Sequence, residues 1–303
     1  MIRRAGKTLV LVAATSAATF ALFAGPAGAA TGPPTLDLSG PKKPALLDKM
    51  VAKGAVPGFA GEQVTIEISA SGRDVATQKI APGADGKFSF PFVIDACCNY
   101  AVRATAAGRD SAAERFSVRV PKHLRKGALT RLYNESLVRQ GYYVGHISNH
   151  FGLGTHLATL AYRKVHNMAR NETYKPSIFR TLLMGRGAFR PRFHEGHHVE
   201  VDISRQVMAL VDGDKVVSTF HVSTGKPSTP TVRGNFHFYR KDPGYNSEGM
   251  YYSVYFIGGY ATHGYNPVPT HEAASHGCVR NPIPFSRYIY SWINIGDAMH
   301  VYG

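Results

Sequence analysis

Ala261, Thr262, His263, Gly264 and, after a short polar loop, Ser275, His276, Gly277, Cys278, Val279, Arg280 form the stretch on which the reading of this chain turns. One cysteine lies two residues after a histidine, and a second histidine sits a loop away. A thiol attacks carbonyl carbon only as the thiolate, and a free cysteine of pKa ~8.5 is mostly protonated at neutral pH without a basic or positive neighbour. Two histidines supply such neighbours.

If residues 276–280 are extended, His276, Cys278 and Arg280 share one face, because strand side chains alternate. Gly277 leaves room for a carbonyl to approach the main chain. Amide N–H groups near Gly277 and Cys278 are then placed to hold the oxyanion of a tetrahedral intermediate. The competing reading, a cysteine that is only a small buried hydrophobe, is weakened by this crowding of His, Gly and Arg. Spacing alone does not choose between His263 and His276 as the base.

The run from His263 through Ser275, His276, Gly277, Cys278, Val279 and Arg280 resembles the signature of the L,D-transpeptidases, cysteine enzymes that remodel bacterial peptidoglycan. The resemblance extends over about the last hundred residues. It begins at the strand-like Val199 to Ser204, and takes in Val222, Ser223, Thr224, Gly225, Lys226, Thr229, Pro230, Thr231, Gly234 and Phe236. Two features depart from the commonest pattern: the loop before Ser275 is at the short end of the family range, and Arg280 stands where some members have asparagine. Both bear on donor and acceptor preference more than on catalysis.

The resemblance implies that His263 is the general base, oriented by the main-chain carbonyl of Gly264, and that His276 and Arg280 position substrate near Cys278. It also implies that Ser275, Tyr251, Tyr252 and Tyr260 belong to the substrate cleft. The implied reaction is attack by Cys278 on the carbonyl of the third stem residue, a diamino acid, with release of terminal D-alanine from a tetrapeptide donor. An amine acceptor from another stem then gives a 3→3 cross-link, whereas water gives L,D-carboxypeptidase activity. Acylation of Cys278 by carbapenem-type β-lactams is implied as well. No cofactor and no metal are expected.

The rest of the chain is consistent with an exported protein. Of its 303 residues 44% are hydrophobic and 18% charged, an ordinary globular composition long enough for two or three domains. Residues 1–30 read as a secretory signal peptide: Arg3, Arg4 and Lys7, an apolar run from Leu9 to Phe23, and a small-residue cleavage pattern ending near Ala29 or Ala30. The run is short for a membrane span. Losing this leader removes three basic residues and no acidic one, taking the net charge from +15 to near +12. Such a chain adheres to polyanions, and an exported one meets anionic cell-wall polymers first. No nucleic-acid motif is present, and a monomer is expected.

Working back from the catalytic stretch, the expected fold class is multidomain and mainly β. A Pro-, Gly- and Lys-rich linker is expected over 31–55. An immunoglobulin-like β-sandwich is expected over 56–121, where Val64, Ile66, Ile68, then Phe88, Phe90, then Tyr100, Val102, then Phe116, Val118 and Val120 alternate between turn signals. Adjacent Cys97 and Cys98 can form a vicinal disulfide, pair with another chain, or stay reduced and buried; with no activating neighbour they read as structural.

A small three-helix domain is expected over 122–192, with faces marked by Leu129, Leu132, Tyr133, Leu137 and by Leu157, Leu160, Ala161, Val165, Met168, an N-cap at Thr155 and a short helix from Pro176 to Met184. The pattern Gly141 to Gly145, then Phe151, Gly152, Thr155, Ala158, Ala161, resembles the helical peptidoglycan-binding domains that accompany such enzymes.

The β-rich catalytic domain is expected over 196–303, with strands at Val199–Ser204, Val207–Val211, Val216–Val222, Phe236–Tyr239, Tyr252–Phe256 and Met299–Tyr302, a hairpin turn at Asp212, Gly213, and a helix over Pro284–Ile293. His194, Glu195, Gly196, His197, His198 has the spacing of a zinc-protease motif, but that chemistry needs a helix. Pro191, Gly196 and the alternating Val199, Val201, Ile203 predict a loop running into a strand instead.

Overall fold

Alternating apolar residues build the N-terminal third. In the computed structural model, which describes residues 32–124 and 127–303, eight strands form two facing antiparallel sheets. These are β1 (Asp37–Ser39), β2 (Lys49–Ala55), β3 (Val64–Ala70), β4 (Arg73–Ile80), β5 (Lys87–Val93), β6 (Asn99–Ala106), β7 (Arg109–Asp110) and β8 (Glu114–Ser117). One sheet runs β1-β2-β5 and the other β4-β3-β6-β7, with β8 also paired to β6. Val64, Ile66 and Ile68 face Phe88, Phe90 and Phe92 across the core, as the period-2 pattern requires. The signal-peptide reading lies outside the described residues.

The linker expected over 31–55 is not a linker. Its second half is β2, paired along its whole length with β5 and burying Met50 and Ala52. Pro, Gly and Lys gave the segment a linker's composition, but only its cross-strand partner reveals the ladder. Gly54 is required there, since a Cβ would sit 1.9 Å from the Thr35 carbonyl oxygen. Cys97 and Cys98 are joined as a vicinal disulfide at the edge of this core.

Three helices follow, α1 (Ala128–Arg139), α2 (Leu153–Val165) and α3 (Pro176–Leu183). Leu132, Tyr133 and Leu137 of α1 meet Ala161 and Val165 of α2 and Phe179 of α3. Thr155 is not the N-cap: α2 starts two residues earlier after Gly152, and the buried Thr155 hydroxyl donates to Asn134 Oδ1 at 2.8 Å, an interhelical bond. Gly154 lets α2 approach the backbone of Val144, whose carbonyl oxygen would lie 2.0 Å from a Cβ.

The C-terminal third is a second sandwich. Its elements are β9 (His197–Asp202), β10 (Val207–Asp212), β11 (Lys215–His221), β12 (Gly234–His237), β13 (Arg240–Tyr245), β14 (Tyr251–Ile257), β15 (Tyr260–Tyr265), β16 (Val279–Pro282), α4 (Ile283–Trp292) and β17 (Ala298–Tyr302). One sheet is ordered β11-β10-β9-β17-β12 and the other β13-β14-β15-β16. Strand pairs β9–β17 and β15–β16 are parallel; the rest are antiparallel. Met208, Leu210, Val199 and Val201 pack against Val254, Phe256 and Val279.

Both faces of β10 are covered. Val207, Ala209 and Val211 point the other way, into the core shared with the helices, which is why Val207–Val211 is an unbroken apolar run. The helices are therefore docked on the back of the catalytic sheet. Tyr143 stacks on Tyr288 at 4.2 Å, and Lys164 of α2 is buried with its Nζ 2.7 Å from His221 Nδ1 and 3.1 Å from the Val222 carbonyl oxygen. Burial pulls the Lys164 ammonium down to about 6.

The zinc-like stretch behaves as the strand pattern predicts. His197 and His198 open β9, and Glu200 buries its carboxylate under the backbone N–H groups of Arg192 and Phe193 and the Tyr302 hydroxyl. His300 is bonded to Glu195 and to Asn235 Oδ1.

Candidate active site

The parallel pairing of β15 with β16 builds the site. His263 is in register with Arg280, and Cys278, two residues before Arg280, comes up on the same face. Thr262, Val279 and Asn281 take the other parity and are buried, tied by a 3.1 Å hydrogen bond from Asn281 Nδ2 to Thr262 Oγ1. His263, Cys278 and Arg280 line a cleft of ≈ 550 Å³ with Met250, Tyr255, Tyr260 and Tyr265.

His263 is 4% exposed, and its Nδ1 lies 2.9 Å from the Gly264 carbonyl oxygen. A carbonyl only accepts, so Nδ1 carries the proton and Nε2 keeps its lone pair. Burial depresses the His263 imidazolium, an effect the Gly264 carbonyl opposes and the Arg280 charge adds to. Burial also raises the Cys278 thiol, only partly offset by the Ala261 amide and the Arg280 charge. The resting pair is therefore thiol and neutral imidazole, and a proton must move from sulfur to His263 as the nucleophile attacks.

The two histidines that spacing left equal are separated by tertiary structure. His276 is exposed on the cleft rim, where the Lys226 ammonium donates to its Nε2 at 3.3 Å. The expected extended run 276–280 begins only at Val279. Gly277 has φ +121°, which breaks the alternation, so Cys278 and Arg280 share a face without His276. A Cβ on Gly277 would meet the Tyr260 ring at 2.5 Å, so this glycine seats Tyr260 in the cleft wall.

The upstream residues of the motif fasten the nucleophile's turn. Ser223 exchanges backbone hydrogen bonds with Arg280 at 3.0 and 2.9 Å. Thr231 accepts from the Gly225 amide at 2.8 Å and donates to the Gly277 carbonyl at 2.9 Å. Ser275 lines the cleft, but its hydroxyl is committed, donating to the Cys278 carbonyl at 2.6 Å and accepting from the Gly277 amide at 3.1 Å. It shapes the turn rather than offering a free hydroxyl to substrate.

Tyr252 is a second correction. It has φ +49° at a bulge between Tyr251 and Val254, and its ring packs edge-on against Tyr290 of α4 at 5.0 Å, outside the cleft lining. A bulge re-aims the side chains it carries. Tyr251 likewise lies outside that lining, its ring against Tyr245 and Tyr252. Tyr255 and Tyr265 take these places: Arg240 stacks on Tyr255 at 3.7 Å, and Arg280 on Tyr265 at 3.8 Å. Tyr265 was legible as the same-parity neighbour of His263, two residues on. Met250, Arg240 and Glu248 enter the lining only through the β13–β14 hairpin, and no local signal marks them.

Comparison with known proteins agrees with this geometry. Residues 196–301 match the family model YkuD, the L,D-transpeptidase catalytic domain. Among solved structures, the chain is similar to an L,D-transpeptidase (residues 123–326) from Xylanimonas cellulosilytica, at 28% identity over 61% of this chain and 98% of that one, with a TM-score of 0.55. It also matches an L,D-transpeptidase from Stackebrandtia nassauensis at 20% identity, over 61% and 96% of the two chains, with a TM-score of 0.38. No curated protein matches the chain. The strand pairing that sets His263, Cys278 and Arg280 on one wall thus lies inside the matched region, and residues 196–301 are an L,D-transpeptidase catalytic domain, which makes the protein an enzyme of that type.

Proposed function

We propose that the protein is exported, with cleavage near Ala29 or Ala30, and forms 3→3 cross-links in peptidoglycan through an acyl-enzyme on Cys278. The observation that carries this reading is the His263 tautomer: with Nδ1–H held by the Gly264 carbonyl, Nε2 is the free base on the face that Cys278 shares. In the first half-reaction the Cys278 proton passes to His263 Nε2 as sulfur bonds to the carbonyl carbon of the third stem residue. The tetrahedral oxyanion faces the turn. Since the Gly277 amide is spent on Ser275, the Cys278 amide is the donor of that pair left for it. Collapse breaks the bond to D-alanine, whose amine takes the proton back from His263. In the second half-reaction an acceptor amine gives its proton to His263, forms the new amide and releases the Cys278 thiol.

The cationic rim of Arg240, Arg280 and Lys226 supports a donor peptide that carries carboxylates, and the net charge supports retention by anionic wall polymers. Acylation of Cys278 by carbapenem-type β-lactams follows from the same nucleophile. The test is intact-protein mass spectrometry of the mature chain and of Cys278→Ala with a disaccharide-tetrapeptide, following soluble products. A Cys278-dependent thioester, D-alanine release and a dimeric product support cross-linking. Tripeptide alone would mean carboxypeptidase activity. No adduct from folded protein that still binds sacculi would replace the enzyme reading of Cys278 with a wall-binding role.

A further inference from the structure

The loop that leads from β15 to the nucleophile, residues 266–277, is held at two levels. From Glu272 onward the holding groups belong to the catalytic domain. Ser223 Oγ donates to the Glu272 carbonyl at 2.9 Å and accepts from the Ala274 amide at 3.2 Å, Arg280 Nη1 donates to the Ala274 carbonyl at 3.2 Å, and the Ser275 amide donates to the Thr224 carbonyl at 3.0 Å. Outward of Glu272 a further anchor comes from outside that domain. Arg170, on the loop after α2 and outside the family match, donates from Nη1 to the His271 carbonyl at 2.7 Å and from Nη2 to the Ser204 carbonyl at 2.8 Å.

One guanidinium thus spans the β9–β10 turn and the nucleophile loop, using the planar fork that makes arginine suited to bridging two fixed acceptors. Arg170 is itself placed by the helices. Arg163, buried in α2, donates to the Ala169 carbonyl at 2.7 Å and to the Thr173 carbonyl at 3.2 Å, which fixes the loop on both sides of Arg170. Lys164, the next residue of α2, grips the Val222 carbonyl directly before Ser223. Both attachments end on backbone that leads to the Cys278 turn.

We propose that Arg170 is a positioning residue for the Cys278 turn, and that the helical segment is through it a working part of the catalytic unit. The proposal rests on Cys278 being the nucleophile. Arg170 lies outside the cleft lining. Its effect is on where the turn's amide points when a carbonyl becomes an oxyanion, so it acts on acyl transfer and not on reactions of sulfur that create no oxyanion.

The test compares two probes on the mature full-length chain. p-Nitrophenyl acetate acylates the thiol through a tetrahedral oxyanion with loss of p-nitrophenolate. Iodoacetamide alkylates it by displacing iodide, with no oxyanion. Arg170→Ala is expected to slow acylation by about ten- to a hundredfold, the size of effect that a displacement of about 1 Å produces. Alkylation should stay within about twofold, and Arg170→Lys, which keeps the charge and donors without the fork, should recover part of the acylation rate. Acylation within twofold of wild type in Arg170→Ala would overturn the proposal. So would acylation and alkylation falling together, which would mean that the fold, not the turn, had been lost. An ester rate in the otherwise wild-type chain that Cys278→Ala leaves unchanged would overturn the nucleophile reading itself, and the proposal with it.

Discussion

Gly277→Ala isolates the geometric demand that the cleft makes on its own turn. The added Cβ would lie 2.5, 2.8 and 2.9 Å from Cε1, Cζ and Cδ1 of Tyr260, whereas carbon atoms rest at about 3.5–4.0 Å. The ring or the turn must therefore move by about 1 Å. Holding an L-residue at φ +121° adds ~1–3 kcal/mol, and crowding a packed ring costs ~1–3 kcal/mol more. Any yielding of the turn displaces Cys278 and its amide, for which about a hundredfold loss of acyl transfer is the expected scale. The assay is the rate of Cys278 acylation by mass spectrometry together with the thermal melt. Gly296→Ala is the control, because Gly296 has φ +92° with nothing within 4 Å of a Cβ, so it reports backbone strain alone. Tyr260→Ala in the Gly277→Ala background should restore part of the lost stability, with a coupling of about 1–2 kcal/mol. A Gly277→Ala protein that acylates within twofold of wild type and melts with Gly296→Ala would refute the reasoning.

Two predictions concern protons. With the Cys278 thiol raised and the His263 imidazole depressed, alkylation of Cys278 by iodoacetamide should climb with pH through a midpoint above the ordinary ~8.5, while a plateau already present at neutral pH would show a preformed ion pair and contradict the resting state described above. Lys164 titrates at about 6 when folded and ~10.4 when unfolded, so between these values the unfolded state binds more protons and stability rises with pH. Lys164→Met should flatten that rise by about 1.4 kcal/mol per pH unit between pH 7 and 9 in denaturant titrations; an unchanged slope would place the missing proton elsewhere.

Much of the fold was legible because burial imposes periodicity. The strands β9, β10, β11, β12, β14 and β17, and the helix α4, fall within a few residues of where the alternation put them, since each has one or both faces in a core. Strand β13 escaped because Pro243 and Gly244 are signals against a strand, and the bulge between Asp242 and Tyr245 absorbs them. The strand β2 escaped because its composition spoke for a linker while its ladder is made with β5, more than thirty residues away.

At the site, the sequence by itself determined the chemistry: a thiol, two imidazoles, a guanidinium and a glycine within one short stretch. The turn beside the nucleophile was not among these, because 276–280 reads as extended and only the structure gives Gly277 its φ of +121°. Tertiary structure decided which histidine is the base. The parallel register of β15 on β16 puts His263 beside Arg280, the Gly264 carbonyl fixes its tautomer, and the positive φ of Gly277 turns His276 out to Lys226. It also decided that Tyr255 and Tyr265, rather than Tyr251 and Tyr252, face the cleft, and that Arg170 reaches the loop of Cys278 from a different segment. The division has one physical cause. Residue type and local spacing set what a side chain can do and which face it takes within its own element. Strand register, bulges and contacts across some hundred residues set what it meets, and these are energies of the assembled molecule with no local trace in the chain.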